Sequence, residues 1–82
     1  MPLGGVRHAG RNKANPLKGF PDLFGILKRR PGVLFAIEVK TQKGMLSPEQ
    51  LTWFARLDAL GCAVCVARSA EQAMSWLAMV DA

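Results

Sequence analysis

A chain of 82 residues and 8.9 kDa, half of it hydrophobic, supplies one small core, which excludes a multidomain machine or a two-domain cofactor enzyme. Charge is unevenly spread: residues 1–45 carry nine basic and two acidic side chains, against two and four in residues 46–82, so the first half suits a polyanionic partner. No apolar run approaches the roughly 20 residues that span a bilayer, and the N-terminus lacks the apolar stretch of a secretory signal, so the chain reads as soluble and intracellular with no membrane partner.

Residues 1–19 hold four glycines, two prolines and four cations without a sustained apolar period. They read as a basic N-terminal arm ahead of a single domain at residues 20–82. At most a short strand forms near Val6, and the arm is either disordered in the free protein or ordered on DNA. Arg7, Arg11, Lys13 and Lys18 of the arm, with Lys43 further on, are the candidate contacts to a DNA backbone. His8 has no second histidine nearby and suits a solvated or phosphate-proximal place better than a metal site or a general base.

From Leu23 the pattern turns β-rich. Leu23 to Lys28 and Val33 to Lys40 flank a turn at Arg30-Pro31-Gly32 and predict two adjacent antiparallel strands. In the second, Val33, Phe35, Ile37 and Val39 share one side, which goes to a core. Leu34, Ala36, Glu38 and Lys40 share the other. Ser47-Pro-Glu-Gln50 is a helix start with Ser47 as N-cap and Gln50 closing a capping box. The helix runs to about Leu60 with Trp53, Phe54, Leu57 and Leu60 as its apolar stripe, and Gly61 ends it in a left-handed conformation. A third strand, Cys62 to Arg68, pairs in parallel with the second. Ser69-Ala-Glu-Gln72 repeats the capping signature and opens a last helix that packs Ala73, Met74, Trp76, Leu77 and Val80. The order is arm, β, β, α, β, α, an α/β (α+β) fold on a mixed sheet. Cys62 and Cys65 supply too few ligands for a zinc site and lie three apart on a strand, so the thiols diverge and read as buried and structural.

Chemistry concentrates at one end of the hairpin. Pro21-Asp22 enters it and Glu38-Val39-Lys40 closes it, so two carboxylates and an ammonium can converge. Two carboxylates at 4 Å repel by about 4 kcal/mol at an effective dielectric near 20, which calls for a cation between them. Oxygen donors without thiolate or imidazole suit Mg²⁺ or Mn²⁺. Lys40 then orients or helps deprotonate a water, or offsets charge on a pentacovalent phosphate. Asp22 shares a face with Glu38 and Lys40 only if paired residue numbers sum to an even value, such as 22 with 40. A two-residue Pro31-Gly32 loop gives the odd register, while a three-residue Arg30 to Gly32 loop or a bulge gives the even one. Alternatively, Asp22 lies just before the ladder and turns inward. The bland alternatives are a turn at Asp22 and a solvated Glu38–Lys40 pair, but Glu38 lies on an otherwise apolar strand under a helical crossover, and a buried carboxylate needs a partner or a metal. Gln50 serves the capping box, the same site, or both. Lys28, Arg29 and Arg30 read as a solvated tip first and a DNA-backbone contact second.

Gly19-Phe-Pro-Asp-Leu23, Ala36-Ile-Glu-Val-Lys40, Gly44-Met-Leu-Ser-Pro-Glu-Gln50, Gly61 through Val64, Val66 and Arg68-Ser69 together resemble the VRR-NUC domain, the virus-type replication-repair nucleases of the PD-(D/E)xK superfamily. The resemblance covers about residues 19–70, and the Leu-Ser-Pro-Glu-Gln segment carries most of its specificity. It implies a restriction-endonuclease-like core and divalent-metal hydrolysis of phosphodiester bonds in DNA. For small stand-alone viral and bacterial members it also implies a cytoplasmic homodimer acting on branched DNA such as Holliday junctions. By that analogy Asp22 and Glu38 bind the metal, the Val39 carbonyl adds a ligand, Lys40 is the catalytic lysine and Gln50 the accessory residue. One departure is that superfamily members usually begin with a helix, often bearing a Glu near the metal, whereas here Asp22 is the first acid. Either the chain is a minimal or trimmed form, or a partner subunit completes the core. The reading of another class is a non-catalytic nucleic-acid-binding module of the same fold; a third is a structural subunit whose acidic second half docks a protein.

Overall fold

The computed structural model describes residues 17–82. The expected strand near Val6, His8 and the arm cations Arg7, Arg11 and Lys13 lie outside the described residues. Five elements follow one another: β1 (Leu23–Ile26), β2 (Leu34–Val39), α1 (Pro48–Ala59), β3 (Ala63–Ala67) and α2 (Ala70–Val80). The strands form one sheet in the order β1-β2-β3, with β1 antiparallel and β3 parallel to the central β2. This small three-stranded mixed sheet with two helices is compatible with an α/β nuclease-like core. No helix among the described residues is long and apolar enough to cross a membrane.

The helix ends follow from side-chain and main-chain hydrogen bonding. At the start of α1, the Ser47 hydroxyl accepts from the Gln50 N–H at 3.1 Å and the Gln50 side-chain carbonyl accepts from the Ser47 N–H at 2.8 Å, with Pro48 opening the helix. At its end, Gly61 takes φ +86°, the Gly61 N–H donates to the Asp58 carbonyl and the Cys62 N–H to that of Leu57. Those two bonds satisfy carbonyls that the last turn would otherwise orphan. The start of α2 differs from the expected box. Ser69 does accept from the Gln72 N–H, but the Gln72 side chain accepts from the Arg68 N–H, one residue earlier, at 2.7 Å.

Helices cover both faces of β2, because Ala36, Ile37 and Glu38 are buried in succession. On one face Ile37, Ala67 and Ala73 form the core, with Phe35, Cys65 and Trp76 packed against it. The other face carries Ala36 and Glu38 and meets the start of α1 through Gln50. Several expectations need correction. Val39 is exposed, since it closes β2 where the sheet narrows, and burial is not confined to the odd-numbered side. Leu60 is largely exposed because it is the C-cap residue of α1, beyond the last turn that meets the sheet. Met74 is also exposed. Ala73, Trp76, Leu77 and Val80 already fill the stripe at i, i+3, i+4 and i+7, which leaves Met74 beside it. Cys62 and Cys65 are free and half-buried rather than buried, because β3 is an edge strand; burial still pushes the Cys65 thiol up.

Candidate active site

Strand register brings the acids together. Pairing runs from Leu23↔Ile37 to Ile26↔Leu34, an even register, and continuing it by one residue sets Asp22 opposite Glu38 on one face of the sheet. The ladder extends at its other end through the Leu27 N–H to the Val33 carbonyl, so the reversal uses Lys28 to Gly32, longer than either short loop foreseen. This shift sets Asp22 against Glu38 and not against Lys40. Asp22 precedes β1, and its Oδ2 accepts from the Val39 N–H at 3.3 Å, tying the start of one strand to the end of the other.

Glu38 is the buried charged residue among those described, 3% exposed. Its Oε2 accepts from Gln50 Nε2 at 3.0 Å and lies 3.7 Å from Lys40 Nζ. Its Oε1 is buried with no hydrogen-bond partner. Burial foremost, then the neighbouring Asp22 carboxyl, pushes Glu38 up to about 7, against the pull of Lys40. An orphaned carboxylate oxygen, with a second carboxylate opposite it in the strand register, is the donor set that a hard divalent cation takes. Among the described residues no group of three or more His, Cys, Asp and Glu side chains gathers; the Val39 carbonyl lies between Glu38 and Lys40 in sequence.

Gln50 performs both roles at once. Its carbonyl closes the α1 cap while its amide donates to Glu38, so the helix start and the carboxylate are locked together; the amide points to Glu38, not to an open phosphate position. Lys18 stands apart, exposed, 3.9 Å from Glu49 at the rim of a shallow cavity of about 260 Å³ that Thr52, Trp53 and Arg56 complete. Its carbonyl accepts from Trp53 Nε1, and Phe20 packs edge-on between Phe24 and Trp53, which seats residues 18–20 on α1. Lys43 is exposed in the turn after β2. Arg68 has no role legible in the sequence; its Nη1 donates to the carbonyls of Thr41, at 2.8 Å, and Gly44. Its residue type marks a cation, but acceptors on the main chain leave no signature in sequence.

The family model for the VRR-NUC domain matches residues 6–71, reaching into the segment set apart as the arm. No curated protein and no solved structure matches the chain. With the greater part of its length matched, the chain belongs to the VRR-NUC domain family, a nuclease-type family.

Proposed function

We propose that the chain is a divalent-metal-dependent DNA endonuclease hydrolysing phosphodiester bonds. The observation that carries this reading is Glu38 Oε1, buried without a donor beside Asp22 and on the sheet face of Lys40, in a VRR-NUC domain. Asp22, Glu38 and the Val39 carbonyl would hold Mg²⁺ or Mn²⁺, which when bound supplies charge neutralisation and Lewis-acid polarisation of a phosphoryl oxygen and of water. Gln50 fixes the orientation of Glu38 by occupying Oε2 and leaves Oε1 free for the cation. Lys40, half-buried and 3.7 Å from Glu38, orients the water that adds to phosphorus and offsets the charge that builds on the phosphate as the P–O bond breaks. The products are a phosphate monoester and a hydroxyl, with the elements of water divided between them.

Selectivity for branched DNA such as Holliday junctions belongs to the same proposal and requires a twofold homodimer presenting two sites in opposed orientation. Strand β1, at the edge of the sheet among the described residues, supports an added subunit, because Leu23, Phe24 and Ile26 are 50%, 40% and 56% exposed there. Lys18, Lys43 and the arm cations would contact the backbone. The test is incubation of purified protein and Glu38→Gln with labelled junction, flap and linear duplex, in Mg²⁺, Mn²⁺ or EDTA. The parent cleaves with either metal and not in EDTA, and the junction is cut fastest. Glu38→Gln binds DNA without cutting it. Equal cleavage by the variant, or binding without cleavage by the parent, sinks the enzyme reading, and the latter leaves a nucleic-acid-binding module.

A further inference from the structure

We propose that Arg68 is a positioning residue for this site: by holding the Thr41–Gly44 turn, it fixes the exit of β2 and with it Lys40. The inference rests on the nuclease reading above. The parallel ladder ends at Val39↔Ala67, and the Lys40 N–H donates to the Ala67 carbonyl at 2.9 Å, so Lys40 and Arg68 are the next residues along at adjacent strand ends. Arg68 Nη1 donates to two carbonyls of the turn, those of Thr41 and Gly44. The turn closes on itself through the Gly44 N–H to the Thr41 carbonyl at 3.1 Å. It also packs back on the site: a Cβ at Gly44 would lie 3.1 Å from Thr41 Oγ1 and 3.4 Å from Lys40 Cβ.

Arg68 is itself held, its N–H donating to the Gln72 side chain at the start of α2. Among the described residues no carboxylate lies within ion-pair distance of its guanidinium, so its fixed partners are main-chain carbonyls and its work is on loop geometry. A planar, always-charged guanidinium suits two convergent acceptors better than a single ammonium does. Remove it and two carbonyls lose a charged donor, while the link from Lys40 to the Ser47 cap, and so to Gln50, hangs on one turn bond. A displacement of about 1 Å in a catalytic group can cost on the order of a hundredfold in rate.

The test compares the parent with Arg68→Ala and Arg68→Lys by steady-state cleavage of the best-cut DNA, hydrogen exchange at the Gly44 amide and thermal melting. We expect kcat to fall about tenfold or more in both variants with KM within about twofold, and Gly44 exchange to accelerate about tenfold. Millimolar guanidinium should restore part of the Arg68→Ala activity, which a general loss of stability would not allow. Unchanged kcat, or a loss carried by KM alone, overturns the proposal. If Arg68→Ala melts below the assay temperature, Arg68→Lys decides in the same way. A parent that cleaves nothing overturns the nuclease reading and the catalytic part of this inference with it, and Gly44 exchange then decides whether Arg68 latches the turn at all.

Discussion

Glu38, buried and charged, ties the proposed site to the stability of the fold. Its carboxyl is raised from an ordinary 4.5 to about 7, so the folded chain holds this proton more tightly than the unfolded chain. The stability this brings is complete below the unfolded value and is lost as pH rises through about 7. With the shift worth about 3 kcal/mol at most, the melting temperature of the metal-free protein falls between about pH 5 and pH 8. Glu38→Gln flattens that profile and melts higher at the alkaline end; an identical pH slope in the variant would show that Glu38 is not the group responsible. The pattern Asp22, Glu38, Lys40 was legible in sequence because an acid on an apolar strand is conspicuous. The double engagement of Gln50 was half-legible, since Ser47-x-x-Gln50 signals the cap but not the reach to Glu38. Arg68 was not legible as a latch, because any sequence supplies its carbonyl acceptors.

Element by element, local chemistry set the helix ends and register set the site. Capping side chains and Gly61 act within a few residues of themselves, so both helices were readable to within a residue or two. How far tertiary cover extends is a property of the whole sheet, and Leu60 at the helix cap and Met74 beside the stripe lie beyond it. The hairpin register depended on a five-residue reversal that patterning on two doubly apolar strands does not determine. Gly19 is where the segment leading to Asp22 meets α1. Its φ is +85°, and an added Cβ would lie 2.6 Å from Glu49 Cβ and 2.8 Å from the Gln50 nitrogen. Gly61 has nearly the same φ, +86°, with nothing within 4 Å of a Cβ. Gly61→Ala should therefore cost about 1–2 kcal/mol from backbone strain alone, while Gly19→Ala adds about 1–3 kcal/mol of overpacking. Denaturant unfolding separates the two, and equal losses would mean that the approach of Gly19 to α1 carries no weight.

At the scale of the whole molecule, a chain of 82 residues has little core to spare. A domain this small buries only somewhat over 60% of its unfolded surface, and oligomerisation is a common remedy. Among the described residues the apolar side chains exposed along β1 lie at the sheet edge, where a second copy would gain both burial and strand pairing. Light scattering at micromolar concentration should give twice the chain mass, and Phe24→Glu should halve it; a monomeric parent contradicts the dimer and the opposed-site account of junction cleavage. Family membership was legible from the order and spacing of short motifs, whereas quaternary geometry, on which shape selectivity depends, leaves only exposed side chains as its trace.

The central claim is that Asp22 and Glu38 share a divalent cation, and the most direct measurement is a calorimetric Mn²⁺ titration of the parent, Asp22→Asn and Glu38→Gln under identical conditions. The account predicts saturable binding by the folded parent and its loss in each folded variant. Binding of equal affinity in all three, or none by the parent at millimolar Mn²⁺, would contradict it.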